Sequence, residues 1–314
     1  MIGDEAPAPR ARHFAPTRLV RAASISRPDR DVYLKLESEL PTGSFKVRGA
    51  LHSLSVNIER HAIREVVAAS TGNHGAGVAY AARMLNVPAT IFLPVAPNPV
   101  KAARIRELGA RIVETGVDLT AAIDGAHEYA ANAGAFFLHD ATDPDIPAGT
   151  ATIAQEVLEQ LPAVDAIYVP MGDTALIRGV ASASKHLKPS VRIVGVVAER
   201  APAYLLSWRS HVATDTRSAD TIADGLAVRR ALAPNVAAIC ELVDDVQAVS
   251  EEEMLGAIEL LMTREDVAAE PAGAAATAAL LKDPRAAGRI VLLVTGRNIA
   301  PDLLARIGPS RASE

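Results

Sequence analysis

The feature that most constrains this chain is an alternation repeated almost from end to end. Short β-rich runs are followed by alanine-rich stretches of helical character. Strands are predicted at 32–36, 65–69, 89–93, 111–114, 135–138, 166–169, 192–197 and 290–294. Several are apolar at consecutive positions, the pattern of parallel strands buried on both faces. Helices are predicted between them at 76–85, 99–108, 119–132, 151–160, 177–186 and 251–262. Such alternation specifies an α/β fold with mainly parallel sheets. The polar stretch 207–219, which holds the only tryptophan, reads as a loop, and 308–314 reads as a frayed end. There is no internal repeat.

Composition narrows the function. A length of 314 residues suits two modest lobes or one large α/β unit. The net charge is −5 with no basic block, a poor match to phosphodiester backbones, so nucleic acid is not an expected partner. The single cysteine, Cys240, excludes an internal disulfide and any CxxC site, and the eight histidines include no HExxH pair. No apolar run reaches the roughly 18 residues that span a bilayer. Residues 1–14 lack the apolar core of a signal peptide. The expectation is a soluble, cytoplasmic protein.

Four segments carry chemical promise. Pro41-Thr42-Gly43-Ser44-Phe45-Lys46 follows a strand and enters a helix beginning near Val47. A lysine at a helix N-terminus opposes the helix dipole, so it is either a poorly placed surface residue or an amine tuned for Schiff-base chemistry. Ser70-Thr71-Gly72-Asn73-His74-Gly75 joins a strand to a helix, where exposed N–H groups make an anion site. Gly172-Asp173-Thr174-Ala175 has the same form and suits a phosphate, although Asp173 or Thr174 could equally be a plain helix cap. Thr295-Gly296-Arg297-Asn298 ends a strand, the edge where ligands of open α/β sheets sit. The glycines at 72, 75 and 77 do not form a dinucleotide fingerprint, and no Walker lysine is present. Glu270-Pro271-Ala272-Gly273 reads as a helix start.

Together and in order, PTGSFKVRGA (41–50), STGNHGAG (70–77), ADGLAV (223–228), EPAGAA (270–275) and VTGRN (294–298) resemble the fold-type II pyridoxal-phosphate enzymes. The closest branch is that of the serine/threonine dehydratases and serine racemases, and the resemblance runs from about residue 17 to 305. It implies a tryptophan synthase β-like α/β fold of two lobes, each a mainly parallel sheet flanked by helices, with the cofactor in the cleft between them. The large cofactor-binding domain would comprise 1–64 and 143–314, and the small mobile domain 65–142. No C-terminal regulatory module is expected, and a homodimer is.

The resemblance also implies roles. Lys46 would hold pyridoxal 5'-phosphate as a Schiff base and act as general base at Cα, with Phe45 packed beside the ring. Asn73 would bond the ring hydroxyl, and amides of Ser70, Thr71, Gly72, Asn73 and His74 would receive the substrate carboxylate. Gly172, Asp173, Thr174 and Ala175 would hold the phosphate, itself the expected acid for the leaving hydroxyl. Thr295 would face the pyridine nitrogen, leaving it largely unprotonated, a milder electron sink suited to elimination. The implied reaction is β-elimination of a β-hydroxy-α-amino acid such as threonine or serine to a 2-oxo acid and ammonia. Racemisation or β-replacement on the same scaffold is the alternative, and non-catalytic cofactor binding a further one.

Three departures from the family pattern stand out. Asp173 and Thr174 interrupt a customary run of glycines, so Asp173 is expected to turn from the phosphate, cap the next helix or meet Arg178. Ala141 stands where racemases place an asparagine that contacts the phosphate. Glu199 matches one carboxylate of the branch's divalent-metal site, but Leu205 replaces the other, so no metal is expected. Thr71 sits where racemases use a serine hydroxyl opposite the lysine. It could do the same, although a bond to the substrate carboxylate is the preferred reading.

Overall fold

A computed structural model describes residues 13–307 apart from Thr71 and Asn98. The readings of 308–314, of most of 1–14 and of Thr71 therefore lie outside the described residues. In chain order the first elements are β1 (Leu19–Arg21), β2 (Arg30–Leu36), α1 (Lys46–Arg60), β3 (Val66–Ala69), α2 (Asn73–Met84), β4 (Ala89–Leu93) and α3 (Pro99–Glu107). Next come β5 (Arg111–Glu114), α4 (Leu119–Ala133), β6 (Phe136–Phe137), α5 (Ile146–Gln160), β7 (Ala166–Pro170), α6 (Ala175–Leu187) and β8 (Arg192–Ala198). The last are α7 (Ala203–Ser210), α8 (Ala233–Leu242), β9 (Asp245–Val249), α9 (Glu251–Arg264), α10 (Pro271–Leu281), β10 (Gly288–Val294) and α11 (Pro301–Arg306).

The chain divides into two compact units, one containing Pro16–Glu39 and the residues from Ala151 onward, the other Leu40–Thr150. In the first, six strands run in the order β1-β2-β10-β7-β8-β9, all neighbours parallel except the β1–β2 edge pair. Its core gathers Leu34, Tyr168, Val194, Val196 and Leu292 from the sheet with Met254, Ile258 and Leu261 of α9. Helix α10, rich in alanine, is buried along nearly its whole length. Its small side chains let the helix lie close to the sheet, where a larger residue would overfill the space. Helix α9 starts with a capping box in which Ser250 and Glu253 bond each other's backbone N–H groups.

The second unit holds four parallel strands in the order β5-β4-β3-β6. Asp118 caps α4 by accepting from the Ala121 N–H, and Gly134 ends that helix at φ 62°. Helix α1 is gripped at its first turn by glycines. A Cβ on Gly77 of α2 would lie 3.1 Å from the Lys46 carbonyl carbon, and one on Gly149 of α5 would lie 2.5 Å from the Arg48 oxygen. Only hydrogen at those positions lets the three helices approach so closely, and the contact fixes the backbone of Lys46.

All eight predicted strands are present, within two residues at each end. The loop predicted at 207–219 needs correction, because its first residues, including Trp208, complete α7. That helix buries Ala203, Tyr204, Leu205 and Ser207, so packing overrides the polar local composition. Strands β1 and β9, at opposite edges of their sheet, escape the sequence reading. One has three residues, and the other mixes Asp245 and Gln247 with its apolar positions.

Candidate active site

Lys46 is the first residue of α1, and no acidic residue lies in that first turn. The dipole therefore works against its ammonium, and compensation comes from elsewhere. Lys46 Nζ donates to Asp140 Oδ2 at 2.8 Å, with the two side chains 13% and 24% exposed. The amine lies 5.3 Å from the Phe45 ring centroid, within cation–π range.

The strand-to-helix turn after β3 supplies the next groups. Ser70 leaves the sheet with its N–H bonded to the Phe92 carbonyl, and its Oγ accepts from the Gly72 N–H at 3.3 Å. Asn73 and His74 open α2. His74 is buried, and its Nε2 lies 3.1 Å from the Leu138 carbonyl oxygen. A carbonyl can only accept, so Nε2 carries the proton. Burial pushes the imidazole below its ordinary pKa, with Asp140 pulling the other way. The ring is therefore neutral near pH 7, and its Nδ1 faces Asp140 Oδ2 at 3.9 Å. In this unit the structure brings Lys46 and His74 to Asp140, with the Phe45 ring beside the amine.

The first unit carries the other predicted residues at the carboxyl ends of its strands. Gly172 follows β7, and a Cβ there would lie 2.1 Å from the Gly225 oxygen, so no larger residue fits that turn. The 223–228 segment thus walls the 172–175 loop. Asp173 Oδ1 accepts from the Ala175 N–H at 2.8 Å, which holds the loop in an Asx-type turn at the start of α6. The carboxylate also raises the pKa of the Arg178 guanidinium, against a larger depression from burial. Asp173 thus bonds the first N–H of α6 from one position before the N-cap Thr174. Thr174 has φ 74°, a left-handed conformation that costs a β-branched residue about 1–2 kcal/mol. Asn235, missed by the sequence reading, donates to the Asp173 carbonyl and to the Tyr204 hydroxyl, both at 3.3 Å. Thr295 follows β10 and is buried.

These residues can be tested for their fit to pyridoxal phosphate. Ser44 Oγ and Thr174 Oγ1 are buried with no hydrogen-bond partner among the described residues. A buried hydroxyl without a partner is costly, and a bound group that completes it removes the cost. In the second unit the Lys46 amine suits the cofactor aldehyde, and in the first the tight turn at Gly172 suits a phosphate, so each unit by itself fits the part of the group it would hold. Leu205 is a buried residue of α7, and the described residues include no cluster of three or more His, Cys, Asp or Glu placed to bind a metal.

Comparison with known proteins shows the family. The family model described as "Pyridoxal-phosphate dependent enzyme" matches residues 11–296. The chain is similar to L-threonine ammonia-lyase of Thermotoga maritima, at 37% identity over 88% of this chain and 69% of the relative. Among solved structures, it is similar to maize serine racemase, with a TM-score of 0.88 and 28% identity, covering 93% of this chain and 91% of the other. The processed threonine deaminase isoform 2 of Solanum lycopersicum gives a TM-score of 0.88 and 29% identity, with 93% and 82% covered.

Proposed function

Because this chain belongs to the pyridoxal-phosphate dependent enzymes, we propose that it is a lyase that removes water from threonine or a related β-hydroxy-α-amino acid. The products are a 2-oxo acid and ammonia. Similarity to a threonine ammonia-lyase across nearly the whole chain carries this reading. The cofactor, when bound, withdraws electrons from the substrate Cα. The chain's residues then divide the remaining work.

Lys46 is the amine that links to the cofactor and, once displaced by substrate, removes the Cα proton onto Nζ. The C–H electron pair stays on carbon and the β C–O bond breaks, the hydroxyl leaving as water with a proton that the phosphate held by the 172–175 turn would supply. The released enamine then takes up one water and gives the 2-oxo acid and ammonia. Amides of Ser70, Thr71, Gly72, Asn73 and His74 bind the substrate carboxylate, where the dipole of α2 favours an anion. Thr71 adds a hydroxyl to that set. Phe45 packs beside the cofactor ring, and Asn73 bonds its hydroxyl. Backbone groups of Gly172, Asp173, Thr174 and Ala175 hold the phosphate, and Thr295 gives a neutral partner to the ring nitrogen. Residues 65–142, nested in the second unit, act as the small mobile domain. The expected assembly is a homodimer in the cytoplasm. No helix among the described residues is long and apolar enough to cross a membrane.

Incubation with L-threonine and L-serine tests the reading. Equal yields of 2-oxo acid and ammonia are expected. Accumulation of the D-enantiomer without ammonia would favour the racemase reading, which the likeness to maize serine racemase supports. No change in any substrate would leave cofactor binding alone.

The loop makes a separate prediction. Asp173→Gly removes the side-chain bond to the Ala175 N–H and a negative charge from the proposed phosphate-binding turn. Pyridoxal phosphate is expected to bind the cofactor-free variant equally well or up to about tenfold more tightly, equivalent to about 1.4 kcal/mol. Fluorescence titration measures this. A tenfold weakening would instead show that the carboxylate holds the turn in its binding shape.

A further inference from the structure

The carboxylate beside Lys46 has no role in the reading above, and the sequence did not single it out. Asp140 lies 94 positions from Lys46, in the turn after β6, and accepts a hydrogen bond of 2.8 Å from its amine. Its surroundings define what it can do. His139 Nδ1, 3.9 Å from Asp140 Oδ1, accepts the Ala141 N–H, so that nitrogen carries no proton. His74 uses its proton on the Leu138 carbonyl. Neither Nδ1 thus brings a proton to the carboxylate, whereas the Lys46 amine does. The start of α1 disfavours a cation, and the backbone there is fixed by Gly77 and Gly149.

We propose that Asp140 is a positioning residue for Lys46, aiming the amine and stabilising its protonated form after it has taken the Cα proton. The proposal rests on the assignment of Lys46 as the cofactor-linking amine. During turnover, Lys46 must alternate between a neutral base and an ammonium. A carboxylate at hydrogen-bond distance favours the ammonium, so it strengthens the base and restricts its direction. The proton is carried on Nζ, and Asp140 itself neither gains nor loses one. Lys46, His74 and His139 are the titratable groups that face Asp140 among the contacts described.

Asp140→Asn keeps the shape and removes the charge. In the cofactor-free chain, competitive acylation read by peptide mass spectrometry gives the pH at which the Lys46 amine becomes reactive. In the variant that midpoint is expected to fall by about one to two pH units. In the loaded enzyme, the acidic limb of the kcat profile is expected to move to lower pH, with the plateau reduced about tenfold. Asp140→Glu, which retains the charge, is expected to restore most of the midpoint, and circular dichroism checks that each variant is folded. An unchanged labelling midpoint in folded Asp140→Asn would overturn the proposal. Borohydride trapping of the cofactor on a lysine other than Lys46 would overturn the assignment beneath it, whatever Asp140 does.

Discussion

Lys46→Ala is expected to abolish covalent cofactor attachment and to lower kcat by at least about 1,000-fold, the scale of a lost general base. The visible absorption of the bound cofactor disappears, and borohydride reduction followed by peptide mapping finds no modified peptide. The size of the effect follows from the two duties given to one amine, attachment of the cofactor and removal of the Cα proton. Lys46→Arg provides the sharper control. Arginine keeps a cation beside Asp140 and preserves the ion pair at the start of α1, but its guanidinium neither condenses with an aldehyde nor loses its proton near neutrality. Both variants should therefore be folded and inactive. Substantial turnover in either one would refute Lys46 as the base, and inactivity confined to the alanine variant would mean that only its charge matters.

The site was legible in the sequence to the extent that it is local. Lys46, the 70–74 turn and the 172–175 turn each follow a strand and enter a helix, and strand-to-helix turns are visible as apolar runs that give way to small residues. Long-range partners left no such trace. Asp140 reads as an ordinary acidic residue in a short turn, and only the pairing of β6 with β3 brings it to Lys46. Asn235 and Gly225 brace the 172–175 loop from segments more than 50 positions away, with no motif of their own to announce it.

The same distinction applies to the fold. Buried central strands such as β4, apolar at every position but Thr90, are written plainly. Edge strands and α7 owe their form to what packs against them. Local signals thus pointed to the candidate groups, while tertiary contacts decide how each group is held. Thr174 illustrates the difference: its identity gives no hint of a positive φ, yet the tight packing of Gly172 on Gly225 leaves the loop little freedom to choose another path.

The largest effect on stability is expected at Lys35. This residue lies in β2 with its side chain fully buried, and its amine meets Glu156 Oε2 at 2.6 Å, the Thr17 carbonyl at 2.8 Å and Gln160 Oε1 at 2.9 Å. Thr17 ties the cluster together by donating its N–H to Glu156 and its hydroxyl to Glu37. Three donors on the ammonium therefore have three acceptors, a geometry that offsets much of the cost of desolvating the charge. Lys35→Met removes the ammonium from the buried Glu156 carboxylate and is expected to destabilise the first unit by about 3–5 kcal/mol. Trp208, the only tryptophan, lies in that unit and reports its unfolding in urea. The deficit should narrow as the pH falls. A carboxyl stranded in the interior binds a proton more readily folded than unfolded, so acid stabilises the variant relative to its neutral-pH state. Replacing both partners, as Lys35→Met with Glu156→Leu, should recover most of the loss, because the stranded charge is gone. A single variant as stable as the parent would show that the ammonium is dispensable. A double variant no better than the single one would place the effect in packing or in the Thr17 and Gln160 bonds, and not in the ion pair.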